Sequence, residues 1–160
     1  MAQKKSAGIL MYRRGQQGLE VLLVHPGGPF WARKDAGAWS IPKGEFEDEE
    51  PLDAARREFT EETGFVAEGE FVELDPVKQQ SGKVVYGFAA EGDCDPAAIR
   101  SNTFTMEWPK GSGRMRDFPE VDRAGWFTVS EASDKLLKGQ RPILSQLLHL
   151  LGEEPPVQAL

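Results

Sequence analysis

Residues 44–65 read Gly44-Glu-Phe-Glu-Asp-Glu49-Glu-Pro51-Leu-Asp-Ala-Ala-Arg-Arg57-Glu58-Phe-Thr-Glu61-Glu62-Thr-Gly64-Phe65. This stretch predicts a helix over Pro51 to Thr63. Pro51 suits a first turn, Glu49, Glu50 and Asp53 suit the positive end of the helix dipole, and Gly64 suits the position after the last turn. Leu52, Ala55 and Phe59 form an apolar stripe that should face a core. Glu58, Glu61 and Glu62 share a neighbouring face, where like charges repel. Two readings of those acids stand side by side: a solvated helix face, or a site for a divalent cation. Arg57 is placed to hold a carboxylate through a two-pronged hydrogen bond.

The charge of the whole chain concentrates in the same place. Among 160 residues there are 26 acids and 19 bases, a net charge of −7. Residues 44–62 contain nine of the acids and two of the bases, and the remainder of the chain is neutral. A binder of nucleic acid polymers concentrates the opposite sign, so that class is set aside. One cysteine, Cys94, precludes an internal disulfide framework and points to a reducing, cytoplasmic setting. No apolar run approaches the roughly 20 residues needed to span a bilayer. The length suits a single domain over residues 1–160, with a frayed tail from about residue 152.

Outward from the helix, Ala7–Arg13 and Leu19–His25 read as a hairpin across Gly15-Gln-Gln-Gly18. His25 to Ala38 reads as a Gly- and Pro-rich loop, and Trp39 to Pro42 as a short extended piece. Phe71–Val77, Lys83–Ala90 and Ala124–Val129 are expected strands. Thr103–Asp117 is expected to be a long loop. Ser130 is expected to cap a helix reaching about Lys138, and Pro142 to open a last helix reaching about Leu151. Intermixed strands and helices define an α/β (α+β) class built on a mixed sheet. Trp31, Trp39, Tyr86 and Trp108 are candidates to stack on a base, with Trp39 preferred, while Trp126 is expected in the core. His25 reads as a strand-end packing or capping residue, His149 as a surface residue, and Cys94 as structural.

Residues 44–65 closely resemble the Nudix box: Gly, five residues, Glu, seven residues, Arg-Glu, an apolar residue, any residue, Glu-Glu, any residue, Gly and a hydrophobic residue. The match departs at the front, where four residues rather than five separate Gly44 from Glu49. Trp39-Ser-Ile-Pro-Lys43 looks like the family's strand into the box. Glu120, six residues before Trp126, is similar to an acidic ligand of many members. The resemblance implies an α/β/α sandwich and metal-dependent hydrolysis of nucleoside diphosphates linked to another group. It implies Mg²⁺ or Mn²⁺ held by Glu58, Glu61, Glu62, Glu120 and the Lys43 carbonyl. Glu61 would serve as general base, with Glu120 its rival, and Arg57 and Glu49 would orient the ligands. Substrate would be a nucleoside triphosphate or dinucleoside polyphosphate, contacted by Trp39, Arg114 and Arg116. The family's spacing rules for ADP-ribose and dinucleoside polyphosphates are not met, because Pro76 falls too early and Tyr86 too late. The alternative is a module that binds nucleotide without cleaving it. The chain would act as a monomer or homodimer.

Overall fold

The computed structural model describes residues 3–153. Two long strands, β1 (Lys5–Gly15) and β2 (Gly18–Pro26), form the expected hairpin, with Tyr12 opposite Val21. β1 is the hub of a seven-stranded mixed sheet. Its first half pairs antiparallel with β3 (Lys43–Phe46), whose Lys43 and Gly44 lie against Glu62 and Glu58 in the second half of the acidic helix. Along its other edge it pairs in parallel with β6 (Val84–Glu91). β2 carries β9 (Val121–Thr128) on its far side. In place of one strand over Phe71–Val77 there are two brief pairings against β6, by β4 (Val72–Glu73) and β5 (Val77–Lys78). Pro76 between them cannot donate a ladder hydrogen bond.

The apolar runs of β1 and β2 are near-continuous because both faces of the sheet are covered. Ala7, Ile9, Met11 and Leu22 pack against Ala54, Ala55 and Phe59 of α1 (Pro51–Thr63). Leu10, Val21 and Leu23 face the other way, onto α2 (Val129–Lys135) and α3 (Arg141–Leu151). The result is the α/β/α sandwich. α1 has the expected bounds; Gly64, at φ 81°, closes it with its N–H donating to the Thr60 carbonyl.

Sequence expectations are corrected at two further places. Residues 103–117 are not a loop: Thr103–Glu107 (β7) and Met115–Pro119 (β8) pair as a separate two-stranded hairpin. The Pro109, Gly111 and Gly113 signals belong to its tip alone. The cap of α2 is Thr128, not Ser130, and the helix stops at Lys135, followed by a 3₁₀ turn over Lys138–Gln140. Of the tail expected to fray, residues 152–153 close α3, and Glu153 pairs with Arg14. Residues 154–160 lie outside the described residues.

Candidate functional site

α1, β3 and the β8–β9 junction converge on one cavity of about 570 Å³, lined by Glu58, Glu62 and Glu120 with Lys43. Each acid is positioned by backbone. Glu58, 8% exposed, lies directly over Gly44, where any Cβ would sit 2.0 Å from its carboxyl carbon. Glycine is therefore required here for close approach. Glu62 Oε1 accepts the Lys43 backbone N–H at 3.0 Å. Glu120 is pinned at both ends: its N–H donates to Asn102 and its carbonyl accepts from Gly27.

Arg57 ties the remaining acids together. Its Nη2 donates to Glu49 Oε1 at 2.6 Å, and its Nε reaches both Glu49 oxygens. Its Nη1 donates to Glu58 at 2.7 Å and to Glu61 at 3.1 Å. The bond to Glu49, foremost, raises the Arg57 pKa and lowers that of Glu49. It is Glu49, not Glu50, that faces Arg57; Glu50 stands at the N-cap without a capping bond from its side chain. The shortened segment after Gly44 thus still delivers a carboxylate to Arg57.

Burial dominates the electrostatics of the cavity. It pushes the Glu62 carboxyl up to about 8, with Glu58 and Glu120 adding repulsion and the Lys43 N–H opposing it. Burial also raises Glu58, against the pull of Arg57, and raises Glu120, which faces Glu61. The Lys43 ammonium is pushed down, chiefly by burial and then by Lys83. Crowded, partly desolvated carboxylates are hard oxygen donors of the kind Mg²⁺ takes, and they repel until a cation joins them. Among the described residues no three acidic, His or Cys side chains are already gathered into a metal centre. Arg57 occupies the position between Glu58 and Glu61.

The structure sorts the other sequence candidates. Trp39 is not at the cavity: it is 4% exposed, packed edge-on against Phe127 and His25, and its indole N–H donates to Asp35. Its indole faces are thus closed to a stacking base. Arg114 and Arg116 are exposed on and beside β8, with Arg116 over the Phe118 ring, and neither lines the cavity. Trp31 does line it. It also lines an inner recess of about 180 Å³ that runs past Glu62 and Glu120 to Val24, Ala38 and Leu137. Tyr86 packs beside Phe46, and Trp108 packs edge-on against Phe30. Trp126 lies against the α1-side core under the Arg13 guanidinium. His25 is fully buried, with Asp122 Oδ1 at 2.8 Å from Nδ1 and the Lys34 carbonyl at 2.6 Å from Nε2. It fastens the loop bearing Trp31 to β9.

A family model for the NUDIX domain matches residues 2–147. The chain belongs to the NUDIX family. No curated protein matches it. Among solved structures, the NUDIX domain of Shewanella oneidensis NrtR, in complex with ADP ribose, is 19% identical. Its TM-score is 0.67, over 94% of this chain and 90% of that one. A C. elegans Ap4A hydrolase is also 19% identical, with a TM-score of 0.64 over 93% and 98%. RenU, a Nudix hydrolase from M. smegmatis, is 20% identical, with a TM-score of 0.61 over 98% and 91%. These likenesses establish the Nudix fold. The Nudix cleft includes three residues that sequence reading missed: Ser6, Lys83 and Phe104. None falls in a motif, because strand pairing and loop packing bring them there. For Ser6 the signal was its place in β1, opposite Glu45 and Val85.

Proposed function

We propose that the chain is a metal-dependent pyrophosphohydrolase acting on nucleoside diphosphate derivatives, with a nucleoside triphosphate or dinucleoside polyphosphate as substrate. The observation that carries this reading is the convergence of Glu58, Glu62 and Glu120 on one cavity beside Arg57-bound Glu61. Bound Mg²⁺ or Mn²⁺ would neutralise the phosphates and acidify a coordinated water. Glu58, Glu61, Glu62, Glu120 and the Lys43 carbonyl are the groups that would hold it. Glu61 takes the proton of the attacking water, with Glu120 as the rival base. The water oxygen bonds to phosphorus, the bridging P–O bond breaks, and the departing phosphate leaves with the electron pair. Arg57, fixed by Glu49, orients Glu58 and Glu61. Trp31, rather than Trp39, offers an aromatic face at the cavity. The chain would act in the cytoplasm as a monomer or homodimer. No helix among the described residues is long and apolar enough to cross a membrane.

The test is turnover of dATP, diadenosine tetraphosphate and ADP-ribose with Mg²⁺ or Mn²⁺, alongside Glu61→Gln, Glu62→Gln and Glu120→Gln. Metal-dependent release of phosphate or nucleotide that the substitutions abolish is expected. Nucleotide binding without turnover would transfer the site to the second reading, a ligand-binding module. That reading draws on the Arg57 bridge, which holds Glu58 and Glu61 together.

A further inference from the structure

Besides the acids, the cleft is lined by two chemically different groups of residues. One group is aromatic, Trp31 and Phe104, of which Trp31 also lines the inner recess. The other is Ser6, Lys43, Glu45 and Lys83, brought together where β3 pairs with β1 and Lys83 meets Glu45; the proposed hydrolytic chemistry uses none of them through its side chain. Lys43 forms no ion pair among the described residues, and Lys83 Nζ lies 3.3 Å from Glu45 Oε1. The two ammoniums repel each other; Lys43 is also drawn by Glu62, Glu45 and Glu58, while Lys83 is paired with Glu45. Ser6 is completely buried, yet its hydroxyl has no hydrogen-bond partner among the described residues. A buried polar atom left unpaired calls for a ligand or a water.

We infer that Lys83, with Lys43 and Ser6, forms a subsite for a phosphate group beyond the two joined by the cleaved anhydride. The substrate then lies in one direction across the cleft, its base at Trp31 and Phe104 and its phosphate chain running toward β1 and β6. A phosphate brings more charge and more acceptor oxygens than the Glu45 carboxylate and competes for Lys83 on both counts. This inference rests on the proposed hydrolytic reading and assigns named residues to the third phosphate of its substrate. The third phosphate can be a free terminus, as in dATP, or internal, as in diadenosine tetraphosphate. ADP-ribose, with two, has nothing to place there.

The experiment compares the wild type with Lys83→Ala, Lys83→Arg and, as a charge control, Lys138→Ala on the exposed turn before α3. KM and kcat are measured with Mg²⁺ on dATP, diadenosine tetraphosphate and ADP-ribose. Binding of inorganic triphosphate with Ca²⁺ is measured by calorimetry. Loss of a charged hydrogen bond to phosphate predicts that Lys83→Ala raises KM for the longer polyphosphates about 10- to 100-fold. Lys83→Arg should recover most of that loss, and Lys138→Ala should reproduce none of it. An effect on dATP alone assigns the subsite to a terminal phosphate, and an effect on both assigns it to any third phosphate. Equal KM changes on all three substrates, or none, overturn the inference. If the wild type cleaves nothing, triphosphate binding decides. Weakening of about tenfold in Lys83→Ala keeps the subsite while the hydrolytic reading falls. Unaltered or absent binding removes the subsite.

Discussion

A hydrogen atom at Gly44 is what admits the Glu58 carboxylate to the backbone of β3. A methyl group there would overlap it, so Gly44→Ala must drive Glu58 off its position or move the strand. The expected outcome is a stability loss of about 1–3 kcal/mol together with loss of Mg²⁺ binding, read by urea denaturation and by calorimetric metal titration. Glu62 presents the reverse case. Its carboxylate is desolvated beside Glu58 and Glu120, so the fold carries it at a cost that a bound cation would offset. Glu62→Gln keeps an acceptor for the Lys43 N–H and removes the buried charge. The metal-free variant should therefore be more stable than wild type at pH 8, by about 1–3 kcal/mol, while its metal-dependent turnover falls at least about a hundredfold. A less stable variant under metal-free conditions would contradict this account of the site.

Among the elements, α1 was legible because everything that specifies it is local. Its Pro51, its Gly64, its apolar stripe and its acid spacing lie within 14 residues. α2 starts before the expected cap at Ser130, because Thr128 makes the better cap. Thr128 has Glu131 three residues on, and the structure forms the reciprocal box: Glu131 N–H to Thr128 Oγ1, Thr128 N–H to Glu131 Oε1. Ser130 has no Glu or Gln at that spacing, and this was the signal that separated the two. Thr128→Ala should cost about 1 kcal/mol, measured by thermal unfolding. The Thr128 hydrogen bonds lower the Glu131 pKa below 4.5, so the unfolded chain takes up the proton first as pH falls. Stability from this group is fully present above its unfolded pKa and is lost as pH drops through the lower folded value. The advantage of wild type over Glu131→Gln should accordingly shrink below about pH 5 and be gone near pH 2. The β7–β8 hairpin was missed for another reason. Phe104 and Met106 alternate with polar residues, but five-residue arms gave less signal than the Pro and Gly residues at the tip.

For the molecule as a whole, the acidic wall of the cleft could be read from one helix, while the opposite wall could not. Ser6, Lys83 and Phe104 reach it through pairings of β1 with β6 and β3 and through packing of the β7–β8 hairpin, contacts far apart in sequence. Trp39 was misplaced for the same reason: α2 and Phe127 close over it from the far layer. The sheet thus separates two functions, with the acids and α1 on one face and α2 and α3 on the other. That separation gives a test of the entire architecture. A cation that binds only the folded chain stabilises it by about 2.7 kcal/mol at a hundred times its dissociation constant. For a domain of this size the shift in Tm is about 5–10 °C. Leu147→Ala, in the fully buried α3 layer, should cost about 2–5 kcal/mol and lower Tm, yet keep that Mg²⁺ increment, because distant sites add. Glu62→Gln should do the opposite, with a raised metal-free Tm and no increment. Scanning calorimetry of the wild type and both variants, with Mg²⁺ and with chelator, reads both effects together. An increment retained in Glu62→Gln would remove the cation from the Glu62 cavity. An increment lost in Leu147→Ala would show that the two layers do not act independently.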